Sequence, residues 1–70
     1  MLYPNPATNQ VHIQSNTAEI LKVDVYTALG SLVKTTYKSS QINIESLSKG
    51  VYLTKITTDK GLVMNPFIKN

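Results

Sequence analysis

The residues that could do chemistry are few. The chain has one histidine, His12, four carboxylates (Glu19, Asp24, Glu45, Asp59) and no cysteine. A nucleophile–base pair would need His12 as the base, a hydroxyl beside it and a carboxylate behind. His12 stands between Val11 and Ile13 in an alternating run, so its side chain is expected to point away from them, toward water. Glu45 and Asp59 fall in turns, Glu19 starts a strand and Asp24 belongs to a solvent face. Such positions seldom supply the desolvation that acid–base catalysis uses. The glycines, Gly30, Gly50 and Gly61, are too far apart for a phosphate-cradling loop. No segment gathers the acidic oxygens of a calcium loop. One histidine without a thiolate makes no transition-metal set. The expectation is a non-catalytic chain with no metal and no cofactor. Tyr3, Tyr26 and Tyr37 are the remaining candidates, as sugar-stacking aromatics on a sheet face.

Size and charge narrow the classes further. Seventy residues make one small domain, whose core supplies about 3–5 kcal/mol net. Without cysteine it has no disulfide to help, which fits a reducing compartment or an exported bacterial protein that dispenses with disulfides. The net charge of +3 invites a nucleic-acid reading. Against it, the seven lysines are dispersed with no two adjacent, and there is no arginine or tryptophan. They read as solvated strand faces and edge protection. No apolar run approaches the ~20 residues that span a bilayer. Met1-Leu2-Tyr3 leads at once into Pro4-Asn5-Pro6, so no secretory leader is read there. Met1 is expected to mark an excised segment or a truncated reading frame.

The elements that must position these residues are strands. Residues 10–14 alternate, with Val11 and Ile13 on one face. Residues 21–26 alternate again, with Leu21, Val23 and Val25 inward and Lys22 and Asp24 outward. Residues 32–37, 41–44, 51–58 and 62–68 complete six candidate strands. No window holds a sustained 3.6-residue apolar stripe, so the pattern predicts an all-β sandwich or barrel. Thr27-Ala28-Leu29-Gly30 and Thr58-Asp59-Lys60-Gly61 share the form Thr-x-x-Gly. Each predicts a three- to four-residue hairpin with a bulge, a type I turn followed by a glycine in the left-handed region. Residues 45–50 are too short for a helix and predict a turn that tucks Leu47 into the core.

Two side chains carry sharper expectations. Tyr52 follows Gly50 at the start of a strand and predicts a tyrosine corner, its hydroxyl bonded to backbone across an inter-sheet crossing. Pro66 interrupts the last strand. It predicts a sheet edge or a fresh start after Pro66, because proline donates no ladder hydrogen bond. Pro4 and Pro6 predict an extended lead-in over residues 1–9, with the sandwich over 10–70.

The ordered set Tyr3-Pro4-Asn5-Pro6-Ala7, Val11-His12-Ile13, Val23-Asp24-Val25-Tyr26 with Gly30, Ile42-Asn43-Ile44 with Leu47, Gly50-Val51-Tyr52 and Phe67-Ile68-Lys69 resembles the C-terminal sorting domain of the bacterial type IX secretion system. The resemblance runs over nearly the whole chain. It implies a small immunoglobulin-like antiparallel β-sandwich of six to seven short strands, with any seventh strand expected near Thr17 or Ser46. It further implies a non-catalytic sorting signal that directs an attached N-terminal cargo across the outer membrane. The partners implied are the type IX translocon, the covalently attached cargo and a surface sortase-like peptidase that cleaves the domain from it. The implied route is through the periplasm to the cell surface or beyond, with no nucleic acid and no membrane insertion of the domain itself.

Carried over by position, Tyr3, Pro4, Asn5, Pro6, Gly30, Leu47, Gly50 and Tyr52 match the family motifs. Gly61, Val63, Phe67, Ile68 and Lys69 form the terminal strand on which recognition depends. Thr27 and Ser31 stand where the family usually has an acidic or Asn residue and a basic one, and Asn65 and Pro66 where it usually has lysines. A terminal edge strand suits recognition by strand addition; it also permits edge-to-edge pairing into a homodimer. The alternative function is a small accessory domain that binds carbohydrate or acts as a spacer in an exported enzyme.

Overall fold

The computed structural model describes residues 2–3, 6–14 and 18–70. These form seven strands: β1 (Leu2–Tyr3), β2 (Gln10–Ile13), β3 (Ile20–Thr27), β4 (Leu32–Tyr37), β5 (Gln41–Asn43), β6 (Gly50–Thr58) and β7 (Gly61–Lys69). They build two antiparallel sheets, a three-stranded one in the order β1-β2-β5 and a four-stranded one in the order β4-β3-β6-β7. The fold is a small β-sandwich, as the period-two patterning predicts. All six expected strands are present within a residue or two of their expected ends. The seventh lies at Leu2–Tyr3, not near Thr17 or Ser46. Ser46 sits in the turn before β6, and Thr17 lies outside the described residues.

The core lies between the sheets, where the inward-facing residues of β2, β3, β5 and β6 meet; β4 contributes none of it. Leu2, Ala7, Val11, Ile13, Ile42 and Ile44 meet Val23, Val25, Tyr52, Ile56 and Phe67, with Ile20 and Leu47 packed at the margin. The expected alternation of β3 fails at its first turn of pleat. The register against β6 shifts between Ile20 and Lys22. Ile20, not Leu21, therefore packs on the core, and Leu21 stays half-buried outside it. The lead-in is also part of the sandwich. β1 pairs with β2, and Ala7 is fully buried.

Both hairpins form, and they differ. Gly30 N–H donates to the Thr27 carbonyl (2.9 Å) and Thr27 N–H to the Ser31 carbonyl (2.8 Å). Gly30 has φ 93°, and the register shift beyond Val25 leaves Val33 as the extra residue of β4. This is the expected turn with its bulge; a side chain at that φ would meet its own backbone. The second hairpin is tighter than expected. Thr58 pairs directly with Gly61, leaving only Asp59 and Lys60 in the loop, and β6 and β7 run in unbroken register from there to Gly50 and Lys69. The Thr58 hydroxyl closes this loop, accepting from Lys60 N–H (3.1 Å) and donating to the Gly61 carbonyl (2.9 Å).

Candidate recognition surface

The last strand is positioned by β6, the longest partner it has. In antiparallel pairing, successive residues of an edge strand turn their backbone groups alternately toward the neighbour and toward open space. Ala7 N–H donates to the Ile68 carbonyl (2.8 Å), and Asn70 N–H donates to the Ala7 carbonyl (2.8 Å), on the side away from β6. With the register unbroken, Leu62, Met64 and Pro66 share that outward direction. Pro66 therefore sits where its missing N–H removes no ladder bond. This is why the strand runs through it, and why β7 lies at the sheet edge as its proline predicts.

The two halves of this edge are unlike. Around Ile68 and Asn70, the lead-in occupies the outward backbone groups through a parallel bridge from Ala7 to Lys69. Between Gly61 and Pro66, no hydrogen bond to another described segment covers them. This open stretch carries three consecutive exposed apolar residues, Leu62 (61% exposed), Val63 (48%) and Met64 (55%). Beside it on the outward sheet face is a shallow depression of about 400 Å³, lined by Tyr26, Leu53, Met64 and Pro66 among others. Leu53 faces Pro66, and Lys55 faces Met64. No charged residue interrupts the chain from Gly61 to Ile68; Lys60 and Lys69 bound it.

The expected terminal-strand residues thus divide. Phe67 is fully buried and stacks on Tyr52, ring centroids 5.4 Å apart at 18°. Gly61, Val63 and Ile68 are exposed, and Lys69 is half-buried with its Nζ 3.1 Å from the Asn70 carbonyl. Among the motif residues, Tyr52 is 7% exposed, and its hydroxyl donates to the Ser48 carbonyl at 2.5 Å. Ser48 lies in the crossing from β5, in one sheet, to β6, in the other, so this is the expected tyrosine corner. Leu47 tucks against the core in the same crossing, its N–H donating to the Ile44 carbonyl. Gly50 opens β6 opposite Lys69, Tyr3 is exposed on β1, and Pro6 is exposed beside Ala7. Pro4 and Asn5 lie outside the described residues.

The groups weighed for catalysis are engaged structurally. His12 does face away from Val11 and Ile13, but it is half-buried because Tyr3 stacks on it (5.4 Å, 23°). Asp24 is not on a solvated face as expected. It is only 5% exposed at the middle of an inner strand, accepting from the Thr35 hydroxyl (2.8 Å), with Lys22 Nζ at 3.8 Å. Sequence alternation assigns its face, but only the strands on both sides cover it. Asp59 accepts from Glu19 N–H through Oδ1 (2.8 Å), and its own N–H donates to the Glu19 carbonyl (3.1 Å). This braces the hairpin against the entry to β3. Tyr3 lies on the three-stranded sheet, whereas Tyr26 and Tyr37 lie on the other, so the three tyrosines share no platform. No helix of the described residues is long and apolar enough to cross a membrane.

Sequence reasoning missed Ala7 and the open stretch at Leu62–Met64. A signal for the second was present, since three apolar residues in succession break the alternation of a half-buried strand. Ala7 left none beyond its small size. The geometry is that of a sheet edge, half closed by the chain's own lead-in and, among the described residues, half open. Residues 1–70 match the family model described as the secretion system C-terminal sorting domain. No curated protein matches the chain.

Proposed function

The chain belongs to the family of type IX secretion C-terminal sorting domains, and from that premise we propose that it carries an attached cargo across the outer membrane and is then cleaved from it. Membership brings with it recognition by the type IX system, an N-terminal cargo and export to the surface or the extracellular space. The finer steps are our reading. The domain folds in the periplasm, the translocon binds it through its terminal strand, and a surface sortase-like peptidase removes it. The observation that supports this most directly is β7: a long strand at the sheet edge with outward backbone groups open from Leu62 to Pro66. An edge of that kind is read by strand addition, without catalysis by the domain. Gly61, Val63, Ile68 and Lys69 are the residues proposed to flank or meet the receptor, with Phe67 holding the strand from within the core.

The test is a gain of function. Residues 1–70 are fused to the C-terminus of a periplasmic reporter in a type IX-competent host and in the same host lacking the translocon. Surface or medium reporter in the first host only is expected, shortened to the size of the cargo where the peptidase is present. A reporter retained in both hosts would refute the sorting role, and an exported but uncut fusion would refute cleavage.

A further inference from the structure

We propose that the open stretch Leu62–Met64 is a binding site for one extended strand of a partner whose centre is apolar and whose ends are acidic. This deepens the sorting reading and rests on it. Three observations converge. Leu62 and Met64 turn both backbone groups outward, and Pro66 turns its carbonyl outward, so the edge offers two donors and three acceptors in a row. The stretch ends at fixed stops: the Asp59-Lys60 loop on one side, the donor-less Pro66 and then the Ala7 bridge on the other. Leu62, Val63 and Met64 are all about half exposed or more, on both faces of the strand, whereas natural sheet edges are usually blunted by charge, proline or cover.

The partner's chemistry follows from what borders the stretch. A strand added beside Leu62, Val63 and Met64 buries apolar side chains above and below the sheet. Cations stand around it: Lys60 at the loop, Lys55 beside Met64 and Lys69 past Pro66. Of the carboxylates, Asp59 in the loop is turned to Glu19 N–H, and Asp24, across the ladder from Lys55, is held by the Thr35 hydroxyl and Lys22. Acidic residues flanking the incoming strand complement this excess. A second copy of the chain fits less well. Two-fold pairing of Leu62 with Met64 makes a short ladder that Pro66 ends on both sides, and it brings together two chains of charge +3.

The natural Pro66 suggests the probe of the edge itself. Met64→Pro removes an outward N–H and no bond to β6, whereas Met64→Thr removes the same apolar side chain and keeps the N–H. The 70-residue chain is titrated with a synthetic peptide of alternating valine and threonine carrying an aspartate or glutamate at each end. Amide exchange reports where it binds. Protection at Leu62 and Met64 is expected. Affinity should fall about tenfold more in Met64→Pro than in Met64→Thr, the loss of one hydrogen bond with its neighbours in a short ladder. Leu62→Glu, at an exposed position the core does not use, should also abolish protection and serves if Met64→Pro fails to fold.

Peptide protection at other strands, equal affinity of the two Met64 variants, or protection by self-association without peptide would each overturn the proposal. In the export assay, normal export of a folded Met64→Pro fusion overturns the edge site and leaves the sorting role standing. Failure of the unaltered fusion to export overturns the sorting role, while the peptide titration still decides the edge site.

Discussion

Replacing Tyr52 with Phe tests the joint that ties the two sheets together. The substitution keeps the ring, which is buried and stacked on Phe67 at 5.4 Å, and removes only the hydroxyl that donates to the Ser48 carbonyl at 2.5 Å. Ser48 is exposed, so its carbonyl recovers a water, and the penalty for an orphaned buried acceptor does not apply. What remains is the net worth of one neutral hydrogen bond, about 1 kcal/mol. For a domain of this size that corresponds to a fall in Tm of about 4–8 °C. Urea unfolding should show a lower midpoint at unchanged slope, because the surface exposed on unfolding is the same. Tyr52→Leu is the companion variant. It loses the stack as well, and should cost roughly 0.5–1.5 kcal/mol more for the aromatic pair alone. A Tyr52→Phe midpoint coincident with the unaltered chain would mean that the corner bond contributes nothing to the fold.

Two further outcomes follow from the same structure. Thr54 is fully buried on the inward face of β6, and its hydroxyl has no hydrogen-bond partner. Thr54→Val should therefore stabilise the domain by about 1 kcal/mol, read by thermal unfolding; a destabilised variant would show that the hydroxyl is satisfied after all. In native-state hydrogen exchange of the free chain, the Asn70 amide, bonded to Ala7, should outlast the amides of Leu62 and Met64, with the reverse order refuting the Ala7 bridge.

That last expectation departs from what chain position alone suggests. From the sequence, the terminal strand reads as the least protected part of a small domain. In the structure Ala7 folds back onto the tip of β7 and Phe67 anchors it in the core, so the lowest protection is expected in the middle of the strand. The alternation of Val11 and Ile13, of Val23 and Val25, and the placing of Gly30, Pro66 and Tyr52 were legible because each follows from a local rule. Those rules are the two-residue pleat, the φ that only glycine takes without strain, the donor that proline lacks, and the hydroxyl that needs a partner once buried. The order of motifs along the chain also made the family legible.

What the sequence could not carry is whatever depends on a neighbour distant in the chain. Leu2–Tyr3 is too short to announce itself as a strand and becomes one only by pairing with β2. The shift that exchanges Leu21 for Ile20 in the core arises from register against β6, some thirty-five residues on. Asp24 is buried because Thr35 and the strands on either side cover it, not because of its own run. The open edge is likewise a tertiary fact. The composition of Gly61–Lys69 states that the strand is apolar. Only the register, which turns Leu62 and Met64 outward while Ala7 closes Ile68 and Asn70, decides which part of it is left for a partner.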